Sequence, residues 1–393
     1  MKFLIADLTN QSDNERSKQN LGESKMAEQL SKRVTLIEAF YDLVFVYMIS
    51  RATALIHQLT DGVVKPTTFL IFTFVVIVFI NSWMVQTVFT NRYGSSSWSD
   101  MFYAFVDMAI VLYMSNSFSG SLTYDLHPFF IAAGLLSATL LAQYLGVRLK
   151  TAAQIDQQIA TVFIYILLIR TCTLLIAGFI PEPIGIPLAL VGIISSWIAP
   201  SFTGKYTKHH PIIFSHLVER LSLLTIIMFG ETIVAIAGYF TKQTLSIGSV
   251  MVFAVVVALF FTYIAEFDHL INNQRRGETG NLLIYLHYPI IFGLSLITVA
   301  LNFVGELDHN FDFPVTMLYL GLLLFYIGIG LATRFNRQPF AHGLFTRTIF
   351  ILSWIIAFAA ALMAEDFYTI VTITLVDTLL ISYLMFQEVK LHV

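Results

Sequence analysis

Val34-Thr-Leu-Ile-Glu38-Ala-Phe-Tyr-Asp42-Leu-Val-Phe-Val46 begins an apolar run that continues to His57. A second run, over 214–238, contains His216-Leu-Val-Glu219-Arg220-Leu-Ser-Leu-Leu-Thr-Ile-Ile-Met-Phe-Gly230-Glu231. Each is long enough to cross a bilayer, which takes roughly 20 apolar residues. Each also carries ionisable side chains within the run. Charge at membrane depth is costly, so Glu38, Asp42, His216, Glu219, Arg220 and Glu231 are expected to face a bundle interior or a wet cavity.

The rest of the chain belongs to the same class. Of 393 residues, 57% are hydrophobic and only 12% charged, with 35 Phe and 17 Tyr. A soluble domain carries roughly twice that share of charge. A net charge of −3 supplies no basic footprint for nucleic acid. Cys172 is the only cysteine, which excludes an intramolecular disulfide and a Cys-based metal site. The first 33 residues are polar and lack an apolar core, so no cleavable leader is expected and insertion falls to the first span.

Twelve apolar spans follow, at about 34–58, 66–89, 101–119, 128–147, 157–180, 184–200, 214–238, 246–266, 282–304, 314–333, 343–363 and 367–388. Continuous runs without alternation predict helices, giving an all-α polytopic membrane protein. Lys and Arg crowd the tail and every second loop, sixteen in all, whereas the opposite side has only Lys65 and Lys242. The asymmetry predicts cytoplasmic termini and an even number of spans in the cell membrane. The order of charged residues also suggests two parallel six-helix repeats. Glu38 matches Glu219 at an offset of 181, Asp107 matches His287 at 180, Arg148 matches Arg334 at 186, and Arg170 matches Arg347 at 177. The expected organisation is a polar tail (1–33), a first half (34–200), a linker (201–213) and a second half (214–393).

Glu38 follows Thr35 at capping-box spacing, a structural role that competes with a functional one. Asp42, one turn deeper, is expected to be functional or ion-paired. His216, Glu219 and Arg220, at i, i+3 and i+4, are expected to share a face. Their charges either neutralise one another and neighbouring helices or act directly. His-x-x-Glu spacing offers two metal ligands, but no second pair completes a site, so no metal or other cofactor is expected. Glu231 lies about 16 Å beyond Arg220 along a helix, at the expected bilayer midplane, where a carboxyl is either paired or protonated. Pro289 predicts a kink beside His287, and His287 is a possible partner for Asp107 across the halves. Arg170 and Arg347 either balance the acids or draw an anion into the membrane; Arg347, about one turn in from the cytoplasmic edge, is close enough to snorkel, whereas Arg170 lies nearer the middle. Glu266 and Asp268 are expected to face water. No phosphate loop, nucleophile elbow or His-Glu-x-x-His motif is present.

The stretches Glu38-Ala-Phe-Tyr-Asp42-Leu-Val-Phe-Val46 and His216-x-x-Glu219-Arg220, with Gly230-Glu231 downstream, resemble the bacterial low temperature requirement A family. Arg92-Tyr93, Tyr285-x-His287 and Gly293 are similar to further positions of that family. Two departures stand out: Gly94-Ser95-Ser96-Ser97, where relatives usually carry acids, and Ser50-Arg51, where a Gln is common. The resemblance implies a multi-pass inner-membrane protein connected with growth in the cold and implies no molecular activity. The residues themselves favour a proton- or ion-coupled secondary transporter of an unidentified solute. Its expected site lies near Asp42, Asp107, Arg220, Glu231 and His287. Glu231 would titrate, with Arg170 or Arg220 as partner for its anionic state or for an anionic substrate. The alternatives are a membrane-embedded lipid-modifying enzyme using His216 and Glu219, and a non-transporting sensor or partner subunit whose charges lock helices together.

Overall fold

The computed structural model describes residues 32–117, 126–306, 311–340 and 343–392. The polar tail before Lys32 therefore lies outside the described residues, as do four of its six basic side chains. Among the described residues there are twelve long helices and no strand. They are α1 (Leu36–Thr53), α2 (Pro66–Tyr93), α3 (Trp98–Asn116), α4 (His127–Lys150), α5 (Gln154–Ala177) and α6 (Glu182–Ile198), followed by α7 (Phe214–Ala235), α8 (Ile247–Ile264), α9 (Asn281–Glu306), α10 (Asp312–Ala332), α11 (Gly343–Leu362) and α12 (Phe367–His392). Each falls on one of the spans expected from the sequence. Eleven are long and apolar enough to cross a membrane, some only with a short 3₁₀ or π-helical continuation. The exception is α3, 19 residues long, whose apolarity is diluted by Asp100 and Asp107.

Local chemistry sets the helix starts. Thr35 and Glu38 form the expected capping box on α1, satisfying two orphan amides reciprocally. Ser97 with Asp100 does the same for α3, and Ser246 with Ser249 for α8. Pro66 occupies the first turn of α2, where its missing N–H costs nothing. Pro289 lies inside α9, which nevertheless continues from Asn281 to Glu306.

α9 is the most enclosed span, 78% buried, whereas the span of α11 is 17% buried. The centre of the bundle is therefore α9 with α1, α2, α7 and α10 around it, and α11 is peripheral. α9 and α10 approach backbone to backbone: a Cβ on Gly293 would lie 2.6 Å from the Gly321 carbonyl, and one on Gly321 would lie 2.9 Å from that of Gly293. Small residues are the usual device for such packing in lipid, which supplies no hydrophobic drive between helices. Exposed apolar side chains such as Phe105, Tyr165, Phe261, Ile356 and Tyr383 cover the periphery.

The loops segregate into two ends. At one, Arg92 Nε donates to the His210 carbonyl at 3.1 Å, and His210 Nδ1 meets Asp156 Oδ1 at 2.6 Å. At the same end Asn272 N–H donates to the Phe335 carbonyl and Arg275 to that of Arg334. Lys32 Nζ closes α2 there, donating to the carbonyls of Thr90 (2.5 Å) and Gly94 (2.9 Å). A cation at a helix C-terminus satisfies orphan acceptors and suits the dipole. Burial lowers the affinity of this amine for its proton, and Glu38 partly restores it. The other end gathers His127 with the Ile180 carbonyl and Tyr239 with that of Leu301.

Candidate functional site

The deepest polar cluster joins α1, α2 and α7. Asp42 and Arg220, both completely buried, form an ion pair in which Nη2 donates to Oδ1 and Nε donates to Oδ2 at 3.3 Å. Trp83 Nε1 donates to the same Oδ1 at 2.6 Å, and its ring lies 5.3 Å from the guanidinium centre. Arg220 Nη1 donates to Thr90 Oγ1 at 3.0 Å and lies 4.0 Å from Glu38 Oε1. Asp42 is thus ion-paired, the second of its two expected roles.

Glu38 and His216 extend the cluster toward the Lys32 end. Asn91 fixes the imidazole. Its Oδ1 accepts from Ile213 N–H at 2.8 Å and its Nδ2 donates to the Ile213 carbonyl at 2.9 Å, which sets the orientation of the amide. The same Nδ2 lies 3.1 Å from His216 Nδ1, making that nitrogen an acceptor and leaving the ring proton on Nε2. Nε2 in turn lies 3.3 Å from Glu38 Oε1. Glu38 therefore serves both as a capping residue and as the acid facing a buried histidine.

Glu219 does not join them. His216 and Arg220, four residues apart, share the buried face, whereas Glu219 is exposed and accepts from Val34 N–H at 3.1 Å. The helical period turns i+3 to one side of His216 and i+4 to the other, and the packed sector includes only the latter. Two other expectations are corrected. Asp107 accepts from Thr139 on α4, while His287 lies between the Leu283 carbonyl (2.8 Å) and Tyr263 Oη (3.1 Å), so the two do not pair. Phe267 covers the His287 ring at 4.8 Å, completing a packed aromatic setting. Glu266 is buried with Asn336 Nδ2 at 3.4 Å rather than facing water, because a π-helical turn over Ala265–Leu270 rotates it inward; Asp268 is exposed. Arg347, near the edge of its span, is exposed, donates to Thr333 Oγ1 at 3.4 Å and forms no ion pair among the described residues.

Glu231 forms a second, separate centre. It accepts from Ser50 Oγ at 2.5 Å, eleven residues from Arg220 and four from the end of α7. Neither Arg220 nor Arg170 is its partner: Arg220 is held by Asp42, and Arg170 Nη2 donates to Ser82 Oγ at 2.6 Å. Glu231 borders a polar cleft of about 510 Å³ with Ser50, Thr53, His57, Thr298 and Asn302. At the opposite end a narrower cavity of about 40 Å³ runs from Lys32 past Glu38 and Thr90 to Arg220 and Tyr41. Between Asp42 and Ser50, α1 buries Phe45, Met48 and Ile49; α7 buries Leu221, Leu224 and Met228 over the corresponding interval. Among the described residues no group of three or more His, Cys, Asp or Glu is arranged to hold a metal ion.

Sequence reading had passed over the α2 contribution. Ser82, Gln86 and Thr90 recur every four residues in a largely apolar helix, a polar stripe visible in the sequence that bears directly on Arg170, Gln143 and Arg220.

A helical bundle with eleven membrane-length spans and a buried network of ionisable groups defines a polytopic integral membrane protein. The family model described as Bacterial low temperature requirement A protein (LtrA) matches residues 33–382, nearly the whole chain. The chain belongs to the bacterial low temperature requirement A family. No curated protein and no solved structure matches it.

Proposed function

We propose that this protein is a proton- or ion-coupled secondary transporter working in the cell membrane by alternating access. One observation carries the reading: α1 and α7 line polar cavities at both ends of the molecule and seal against each other between them. Glu38, Asp42 and Arg220 border one side of the seal; Ser50 and Glu231 border the other. A large cleft at the Glu231 end and a constricted one at the Lys32 end are what one conformation of such a cycle would present. Carboxylates reached through separate cavities can exchange protons or cations with separate compartments. In this reading the Lys32 end faces the cytoplasm.

The expected two-repeat organisation, 34–200 and 214–393 joined by 201–213, belongs to the same proposal. It is supported by recurring helix pairs: α1 on α3 as α7 on α9, α3 on α4 as α9 on α10, α5 on α6 as α11 on α12, and α2 on α6 as α8 on α12.

The test is a thermal-stability screen of purified protein against ions, pH steps and metabolite pools, alongside Glu231→Gln. A compound that stabilises wild type and not the folded variant is expected, followed by pH-dependent flux of that compound in proteoliposomes that Glu231→Gln abolishes. Identical responses of the two proteins overturn the assignment of Glu231. Stabilisation by particular lipids alone moves the function to lipid chemistry.

A further inference from the structure

Arg170 is the second fully buried guanidinium of the bundle, and it is the uncompensated one. Arg220 has Asp42, but no carboxylate oxygen lies within 4 Å of Arg170 among the described residues. Its Nη2 donates to Ser82, while Nε has no partner. The guanidinium borders a small cavity of about 10 Å³ lined also by Tyr41, Ser82, Gln86, Leu136, Ser137 and Leu140. Two of these, Tyr41 Oη and Ser137 Oγ, are buried without a hydrogen-bond partner, like Arg170 Nε. Gln86 is occupied by Gln143 at 3.2 Å.

An isolated buried cation and several unmet donors around one cavity each cost free energy, and a single guest relieves them together only if it is anionic. A water molecule would satisfy the hydroxyls and leave the charge standing. Asp107 on α3 is a further buried acid: its Oδ1 accepts from Thr139, its Oδ2 has no hydrogen-bond partner, and it forms no ion pair with Arg170. The cavity has room for the centre of one compact particle, which excludes sulfate, phosphate and carboxylate metabolites. Four helices supply the walls: Tyr41 from α1, Ser82 and Gln86 from α2, Ser137 from α4 and Arg170 from α5. Tyr41 and Gln86 also line the cavity leading to Lys32, so the pocket adjoins a polar route to one end of the molecule.

We propose that Arg170, Tyr41 and Ser137 form a buried binding site for a dehydrated monovalent anion of halide size, with Ser82, whose own hydroxyl donates to the Val78 carbonyl, holding the guanidinium in place. The guanidinium neutralises the ion and the hydroxyls replace its hydration shell. This names one ion class for the transport reading, but binding at equilibrium requires no flux and is tested separately from it.

The test is equilibrium binding of radiolabelled chloride to the full-length protein in detergent, at constant ionic strength with gluconate as replacement. Saturable binding is expected, displaced by unlabelled chloride and bromide but not by gluconate or sulfate. Arg170→Gln should weaken it by at least about tenfold, as expected for losing a charge-assisted hydrogen bond, with part restored by Arg170→Lys. Tyr41→Phe and Ser137→Ala should each weaken it several-fold. Absence of saturable binding to the folded wild type, or equal binding by Arg170→Gln, overturns the site. If Arg170→Gln fails to fold, unchanged affinity in both hydroxyl variants overturns it instead.

Discussion

Asp42 and Arg220 show how one residue's worth depends on its partner. Both are buried, so removing either leaves the other without its closest opposite charge, at a typical cost of about 3–5 kcal/mol. Asp42→Asn and Arg220→Met are each expected to lower the thermal midpoint strongly. Asp42→Leu combined with Arg220→Met should recover most of the loss, because it removes both charges together. Size-exclusion-monitored melting of the four proteins checks this; a double variant no better than the singles would mean that Trp83 and Thr90 depend on the charges for more than neutralisation. A simpler residue-scale effect lies at Asp366, whose two oxygens accept from the N–H of Thr369 (3.0 Å) and its hydroxyl (2.6 Å) at the start of α12. Those bonds hold its carboxyl below the usual carboxylate range. A folded pKa below the unfolded one contributes stability that is complete above the unfolded value and lost as pH falls through the folded value. Protection of the first turn of α12 in hydrogen exchange should therefore drop only in acid, and Asp366→Asn should remove that dependence.

At the scale of elements, the α9–α10 contact is fixed by the absence of side chains. A Cβ on Gly321 would meet the Gly293 carbonyl at 2.9 Å and the Ile297 amide nitrogen at 3.0 Å, both backbone atoms that cannot turn aside. Gly321→Val should separate the helices or prevent assembly, lowering the midpoint by considerably more than a valine introduced at Gly330, around which nothing lies within 4 Å. Comparable melting of the two variants would contradict the close crossing. α2 makes the complementary case for polar packing. Its Ser82, Gln86 and Thr90 are tied to Arg170, Gln143 and Arg220 respectively, so one stripe holds α4, α5 and α7 to the same helix.

For the whole molecule, the two polar cavities make a prediction about access. With Cys172 replaced by Ser, a cysteine at Asn302 should react with a membrane-impermeant thiol reagent from one side only. A cysteine at Ser96, beside the cavity lined by Lys32, should react only from the other. In oriented membranes, labelling of Ser96→Cys from the cytoplasm would agree with the excess of Lys and Arg at that end; labelling from outside would reverse the proposed orientation. Reaction of both positions from the same side would remove the separation on which alternating access depends.

The helical class, the helix positions and the crowding of basic residues at alternate loops are properties of local composition, because lipid permits few spanning structures and apolar runs announce themselves. The capping box at Thr35 and Glu38 was legible for the same reason: both partners lie within one turn. Pairing between helices was not legible. The sequence offered Arg220 its neighbour Glu219, an unspecified partner on an adjacent helix, or Glu231, and only the placement of α1 against α7 selected Asp42. The same placement carried Glu231 to Ser50 and left Glu219 exposed, since three residues along a helix can separate a packed face from an open one. Chain order specified that ionisable groups lie within the spans of this protein; helix rotation and crossing, fixed by packing of the whole bundle, decided which of them are buried, which charges meet and which polar side chains converge on a cavity.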